Sequence, residues 1–248
     1  MSRRRFFAPP TAFGTNSVLL TSEEARHLRE ALRLKPGDEV YVFDGEGREF
    51  RCSIEKTLRD TAELNIIEEI SPASPESPLQ LTLGIALLKG DKFDLVVQKT
   101  TELGVHRIVP VITRHADIQL RDAGDAYKRV TRWQRIAMEA AKQSGRALVP
   151  GVEDPISFAN FVSSSSGACL MFSERSGRAF AEATREIPDS SSEMKAIVGS
   201  EGGWSDEELE LAQTAGWRIV TLAGRILRAE TAAITVTSLL QHRFGDLK

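Results

Sequence analysis

The stretch from Lys195 to Phe244 constrains the fold more than any other part of the chain, because it presents the same order of elements twice. An apolar run, Ala196–Val198, leads into the turn Gly199-Ser200-Glu201-Gly202-Gly203, and a second run, Arg218–Leu222, leads into Ala223-Gly224-Arg225. A segment with helical spacing follows each turn. This order predicts parallel strands, and glycine turns after such strands lie at the carboxyl edge of the sheet, where open α/β folds bind ligands.

The helix after the first turn carries a clear start signal. Ser205 and Glu208 have the spacing of a capping box, so a helix is expected to begin there and to end near Gly216. Trp204 and Trp217 flank this helix and are interpreted as core or interface residues. A bulky side chain at the first glycine, as in Gly199→Val, is expected to close the ligand site with little effect on folding.

The remaining chain divides at one proline- and serine-rich segment. Residues 1–72 alternate apolar and polar positions in short runs and are predicted to form a small β-rich unit. Residues 73–79 are predicted to be a linker, since prolines in this spacing continue neither a helix nor a sheet. Residues 80–248 alternate strands with helices, which predicts an α/β domain with a parallel sheet, including a long helix over residues 125–144.

Composition indicates an ordinary soluble globular protein of 248 residues, with 41% hydrophobic and 27% charged residues. No apolar run reaches the roughly 20 residues that a membrane span needs, so no membrane contact is expected and the location is predicted to be cytoplasmic. The 2 cysteines and 4 histidines show no metal-ligand spacing, which predicts a protein without a metal.

Charge is distributed unevenly along the chain. Residues 89–146 hold 12 Lys and Arg against 7 Asp and Glu, while residues 151–215 hold 4 against 12. Such asymmetry permits a polyanionic partner, although charge alone favours solvated helix faces. The opening Arg3-Arg4-Arg5 with two phenylalanines is equally open to two interpretations, an RNA-contacting edge or a terminus anchored by its aromatic rings.

Longer motifs are more specific. The chain reads V-G-S-E-G-G at the first turn and L-A-G-R-I-L-R-A-E-T-A-A from Leu222, with further similarity over His27–Asp38, Lys89–Val105 and Arg132–Arg146. In this combination the sequence resembles the RsmE family of ribosomal RNA small-subunit methyltransferases, of the SPOUT class. The resemblance covers nearly the whole chain. It departs from the usual pattern at Ser200, where G-P-E-G-G is commoner, and at Ala223, and both changes imply an altered fit of the cofactor loops more than lost activity.

The resemblance implies a SPOUT-type parallel sheet with a C-terminal trefoil knot, preceded by a PUA-like β-barrel. It also implies methyl transfer from S-adenosyl-L-methionine to N3 of a uridine in 16S rRNA, free or in the assembling small subunit, by a homodimer. Two alternatives remain open: a SPOUT methyltransferase acting on tRNA, and a non-catalytic RNA-binding protein with the same fold.

Site residues follow from the turns and the resemblance together. Arg228 is the candidate catalytic group, orienting the base or stabilising the developing anion, or else it forms a salt bridge with Glu230 or Glu201. The expected cofactor contacts are Phe172, Ser173, Glu174, Gly199, Ser200, Glu201, Gly202, Leu222, Ala223, Gly224, Ile226, Leu227 and Ala229. The expected RNA contacts are Arg3, Arg4, Arg5, Lys89, Lys92, Arg132, Arg135 and Arg146, with Lys142 on the same helical face.

Overall fold

A computed structural model describes residues 3–116, 118, 120–163, 167–222 and 224–248. The chain divides into two compact units, one made of Met1–Glu76 with Met138–Val149 and the other of Ser77–Ala137 with Pro150–Lys248. One cut falls between Glu76 and Ser77, among residues 73–79. Another passes through a long helix, so the last turns of that helix belong to the first unit.

The first unit is built on five strands of the described chain: β1 (Arg5–Phe7), β2 (Ser17–Thr21), β3 (Glu39–Phe43), β4 (Glu49–Thr57) and β5 (Thr61–Ile70). They form one sheet in the order β1-β3-β4-β5-β2, in which only β1 and β3 pair in parallel. Helix α1 (Ser22–Arg26) and a π-helical turn at His27–Ala31 follow β2. Alternate residues of β2 are buried, as the period-2 pattern predicts, and join one apolar core with Leu28 of the π-helical turn.

Arg5 holds the end of the long helix within this unit. Its guanidinium donates to the carbonyl oxygens of Ala141, Lys142 and Arg146 at 3.2, 2.8 and 2.9 Å. Its Nε lies 3.1 Å from the carboxylate of Glu49, which is fully buried. The cation therefore supplies donors to carbonyl groups at and just beyond the helix end, where few backbone donors are available, and it offsets a buried negative charge.

The second unit alternates strands and helices: β6 (Gln80–Ala86), α2 (Lys92–Glu102), β7 (Arg107–Ile112), α3 (Ala123–Ser144, the helix shared with the first unit), β8 (Gly151–Val152), β9 (Ile156–Ser157), α4 (Phe158–Ser163), β10 (Ala168–Phe172), β11 (Arg178–Ala179), α5 (Phe180–Arg185), β12 (Glu193–Val198), α6 (Asp206–Thr214), β13 (Arg218–Thr221) and α7 (Ala229–Phe244). The described strands run β11-β13-β10-β12-β6-β7-β8, with β9 beside β7, and every pairing among them is parallel. The α/β class with a parallel sheet, predicted from the sequence, is confirmed.

Local signals set the ends of the two helices nearest the candidate site. Ser205 accepts a hydrogen bond from the Glu208 amide, and the Glu208 carboxylate accepts one from the Ser205 amide, so the predicted capping box is confirmed. Helix α7 begins at Ala229, because Arg228 still has extended backbone angles of φ −64° and ψ 151°. Arg228 is therefore the last residue of the loop that follows β13.

Two features do not occur within the described ranges. None of the helices there is both long and apolar enough to span a membrane. The same ranges hold no group of three or more His, Cys, Asp or Glu side chains arranged to bind a metal ion.

Candidate functional site

A cavity of about 420 Å³ lies at the carboxyl ends of β10, β12 and β13. These ends are adjacent because β10 pairs with both of the other strands. The loop after each strand and the start of α7 form the walls, which is the position where parallel α/β sheets bind ligands. The lining residues are Phe172, Ser173, Glu174, Val198, Gly199, Ser200, Glu201, Gly202, Gly203, Leu222, Arg225, Ile226, Leu227, Arg228, Ala229 and Ala232.

The structure brings all but two of the expected cofactor contacts to this cavity. Gly224 is exposed, with a φ of +108° that favours glycine, and it is not among the wall residues. Ala223 lies outside the described residues. Val198, Gly203, Arg225 and Ala232 also line the cavity but were not among the expected cofactor contacts, although Ala232 follows Ala229 at the spacing that places two residues on one side of a helix.

The ring of Trp204 leaves little room for a side chain at position 199. A Cβ built on Gly199 would lie 3.0 Å from Cε2 and 3.3 Å from Nε1 of Trp204. The Trp204 ring is buried and donates a hydrogen bond of 2.7 Å to the carbonyl oxygen of Phe172, another wall residue. The expectation that Gly199→Val would simply close the site therefore needs correction, because an added side chain first meets this ring. The interpretation of Trp204 as a core residue is confirmed.

The next glycine is required by the loop between β7 and α3. A Cβ on Gly202 would lie 2.7 Å from the Cβ of His115 and 2.9 Å from its carbonyl oxygen. His115 and the glycine loop also exchange two hydrogen bonds. The hydroxyl of Ser200 donates to the carbonyl oxygen of His115 at 3.0 Å, and His115 Nδ1 donates to the carbonyl oxygen of Gly202 at 3.2 Å. Ser200 therefore gives the loop a bond that a proline at this position could not make.

Two charged side chains of the cavity wall, Glu201 and Arg228, lie close to a lysine outside it. The ammonium nitrogen of Lys92 lies 2.5 Å from the carboxylate of Glu201, a wall residue. The hydrogen bond to Glu201 and its negative charge raise the pKa of Lys92, with a further contribution from Glu230, while the nearby charge of Arg228 lowers it. Lys92 is therefore a cation at neutral pH. Arg228 is exposed and forms part of the wall.

Comparison with known proteins identifies the family. Residues 75–241 match the RNA methyltransferase domain, and residues 20–67 match the PUA domain of RNA methyltransferases. The ribosomal RNA small subunit methyltransferase E of Synechocystis is 34% identical over 231 residues, which are 92% of this chain and 74% of that protein. That of Bacillus subtilis is 31% identical, over 90% of this chain and 89% of its own. The chain belongs to the RsmE family of ribosomal RNA small-subunit methyltransferases.

Two solved structures support this assignment along the entire chain. A methyltransferase of Legionella pneumophila, in complex with S-adenosylmethionine, superposes with a TM-score of 0.89 at 31% identity, over 100% of both chains. The RsmE protein of Neisseria gonorrhoeae, also bound to S-adenosylmethionine, gives 0.89 at 32% identity, again over 100% of both chains. The first unit of this RsmE-family protein is accordingly a PUA-like domain.

The predicted RNA contacts of this RsmE-family protein fall into two groups. Arg4, Lys89, Arg132 and Arg135 are exposed, while Arg3 and Lys92 are partly buried. Arg132 is exposed over 63% of its side chain and pairs with Asp94.

Three of the basic residues are held inside the first unit. Arg5 is 8% exposed and Arg146 is 4% exposed, and Arg146 pairs with Glu76 at 2.7 Å. Lys142 is likewise largely buried and lies 2.7 Å from Glu24. The expectation that these side chains contact RNA is corrected, since each is enclosed and neutralised by an acidic or carbonyl partner. Arg146 also lies beyond the end of α3 at Ser144, so the predicted helical face does not extend to it, and partners far away in the sequence decide the role of each side chain.

Proposed function

We propose that this protein transfers a methyl group from S-adenosylmethionine to N3 of a uridine in the 16S rRNA of the small ribosomal subunit. The observation that carries the proposal is the cavity at the ends of three neighbouring parallel strands, in a chain similar along its whole length to proteins solved with S-adenosylmethionine. Uridine N3 as the acceptor follows from the motifs that the chain shares with RsmE proteins.

The cavity fits such a cofactor in size and in chemistry. Its volume of about 420 Å³ falls within the range of roughly 300–1,000 Å³ that is usual for small-molecule sites. Leu222, Ile226 and Leu227 provide apolar wall for an adenosine, and the loops provide backbone donors and acceptors. The carboxylates of Glu174 and Glu201 line the same space and suit a ligand with positively charged groups.

Bound there, S-adenosylmethionine would supply a methyl group on a positively charged sulfur. In the transfer, a bond forms between N3 and the methyl carbon, the carbon–sulfur bond breaks with its electron pair going to sulfur, and the N3 proton passes to solvent. The protein must therefore align the uracil and stabilise the negative charge that develops as that proton leaves. Arg228 is placed for this task, since it is an exposed cation in the cavity wall.

RNA recognition is assigned to both units. The PUA-like domain, through Arg3 and Arg4, and the exposed side of α3, through Arg132 and Arg135, would contact phosphates, with Lys89 and Lys92 nearer the cavity. We further propose that the protein acts in the cytoplasm as a homodimer and that the C-terminal part of the second unit forms a trefoil knot. Light scattering should then give about twice the chain mass of 27.3 kDa.

One pair of variants tests the cofactor site. Ala232 lines the cavity, so Ala232→Leu should fill part of it and weaken S-adenosylmethionine binding, measured by calorimetry, at least 10-fold. Ala181→Leu adds the same side chain to an exposed position of α5 and should bind like the parent protein. Equal affinities in the two folded variants would contradict the placement of the site.

Mapping of methylated nucleotides tests the reaction. Cells with and without the gene should differ by one N3-methyluridine in 16S rRNA, and Arg228→Gln should abolish the difference while S-adenosylmethionine binding persists. A difference in tRNA would favour the first alternative. A folded protein that binds RNA but neither binds S-adenosylmethionine nor methylates RNA would favour the non-catalytic one.

A further inference from the structure

The Lys92–Glu201 pair at the cavity opening has a chemical use that goes beyond contact with phosphates. Lys92 is the first residue of α2, which follows β6, and Glu201 lies on the glycine loop after β12, so two neighbouring strands lead to them. With 35% and 30% of their side chains exposed, both groups remain accessible to a molecule at the opening. The pair fixes a cation within hydrogen-bond distance of an atom of the cavity wall.

Uracil presents a pattern that two cations can match. Its N3 lies between two carbonyl groups, C2=O and C4=O, and loss of the N3 proton spreads negative charge over both oxygens. A single cation can lie against only one of them. Arg228 and Glu201 line the same cavity, and Lys92 lies 2.5 Å from the Glu201 carboxylate, so the two cations border one space with a carboxylate between the lysine and the wall.

We propose that Lys92, held in place by Glu201, is a second catalytic cation that contacts one uracil carbonyl while Arg228 contacts the other. This inference rests on the proposed uridine-N3 reaction and deepens it. Lys92 keeps its proton, so it acts as a hydrogen-bond donor and stabilises the imide anion instead of taking the N3 proton. The same pair disfavours cytidine, whose C4 amino group presents hydrogen-bond donors to a cation where uridine presents an acceptor.

A matched lysine on the same helix provides the control. Lys99 forms an ion pair with Glu102 at 2.9 Å, with 39% and 26% of the two side chains exposed, close to the values for Lys92 and Glu201. It lies two turns further along α2, away from the carboxyl ends of the strands. In single-turnover methylation of 16S rRNA, Lys92→Met should slow transfer about 10- to 100-fold, less than the ~10²–10³ typical of a buried oxyanion donor because Lys92 is partly hydrated. Lys99→Met should react like the parent protein.

Two further readouts separate catalysis from simple bracing of the loops. A 5-fluorouridine at the target position has a more acidic N3, so its anion needs less help, and the defect of Lys92→Met should shrink several-fold on that RNA. The defect should also shrink as pH rises, while the affinity for S-adenosylmethionine stays within about twofold of the parent value. In Lys92→Met combined with Glu201→Gln, transfer should remain slow, since the cation is still missing.

The outcomes are distinguishable. Parent protein that methylates no uridine at N3 would overturn the proposed function and this inference with it. Parent protein that is active, with Lys92→Met equally active or equally defective on uridine and 5-fluorouridine, would overturn the inference alone. Recovery of the transfer rate in the Lys92→Met, Glu201→Gln double variant would also overturn the inference alone, because Lys92 would then serve only to neutralise Glu201.

Discussion

The contact between Gly199 and Trp204 makes one substitution informative. Gly199→Ala adds a single methyl group, which would lie 3.0 Å from the ring carbon Cε2 of Trp204. The ring is 1% exposed and lies against Phe158, with 5.3 Å between ring centres, so it cannot move away without disturbing the core. Extra volume in a packed core typically costs about 1–3 kcal/mol. If the ring moves enough to break its bond to the Phe172 carbonyl oxygen, roughly 0.5–1.5 kcal/mol is added.

For a domain of this size, 1 kcal/mol lowers the melting temperature by about 2–4 °C, so Gly199→Ala should lower it by roughly 2–12 °C in differential scanning calorimetry, and by up to about 18 °C if the hydrogen bond also breaks. Gly151→Ala is the control, because a Cβ there would have 4.0 Å to its nearest neighbour and φ is not in the left-handed region. This variant should change the melting temperature little. The decrease in melting temperature should be larger for Gly199→Val than for Gly199→Ala, because the valine methyl groups extend further toward the ring.

A double-mutant cycle tests the cause of the destabilisation. Trp204→Phe replaces the two-ring indole by a smaller single ring without Nε1, and so frees space beside residue 199. In that background, Gly199→Ala should cost less than half of what it costs with tryptophan present. An equal cost in both backgrounds, or a Gly199→Ala protein as stable as Gly151→Ala, would refute the argument that the tryptophan sets the size of residue 199.

Three other predictions concern the buried polar groups. Arg5→Gln should destabilise the protein by about 1.5–3 kcal/mol in thermal unfolding, since the buried Glu49 carboxylate then keeps only Arg3 at 3.4 Å and the Ala73 amide as partners, whereas Arg4→Gln at an exposed position should cost less than about 0.5 kcal/mol. Ser200→Ala removes the bond to His115 and should weaken S-adenosylmethionine binding up to about 10-fold in calorimetry, by loosening the loop, with a melting temperature close to the parent value. Burial raises the pKa of the Cys52 thiol to about 12 from 9.0, so it should stay unreactive toward thiol reagents at pH 8 until the protein unfolds. Its contribution to stability should be complete below pH 9 and decline as pH rises toward 12, because the unfolded thiol ionises first.

Local patterns predicted the elements that depend on local chemistry. The bounds of β7 (Arg107–Ile112) and β10 (Ala168–Phe172) agree with the apolar runs, and Ser205 begins α6 through its capping box. The segment with helical spacing was predicted to follow the second turn, which ends at Arg225, but α7 begins only at Ala229. Helical spacing alone could not locate the first residue of α7, because the apolar residues of the preceding loop continue the apolar pattern of the helix.

Local sequence patterns do not predict contacts between residues that are far apart in the sequence. Arg5 and Ala141 are 136 positions apart, and Lys142 and Glu24 are 118 apart, yet these bonds decide which basic side chains are buried. From the sequence, Arg132 and Arg146 have the same chemistry and lie on one helical face. In the structure, Arg132 remains exposed over 63% of its side chain, and Arg146 over 5%. Arg146 lies just past the end of α3 at Ser144 and pairs with Glu76, 70 positions away, and no period in the helix could reveal that partner.

The glycine loop shows why a correctly placed site can still have a wrongly explained residue. A glycine after a buried strand indicates that something approaches the backbone closely, but the pattern does not say from which side. At Gly199 and Gly202 the approaching groups are Trp204 and His115, both parts of the protein itself. These contacts hold the loop between β12 and α6 in one conformation, so that its cavity-facing groups are already in place when a ligand arrives, and little ordering cost remains at binding. The glycines then contribute to recognition through the rigidity of the loop, and substitutions there should lower ligand affinity in proportion to how far they displace the tryptophan or the histidine.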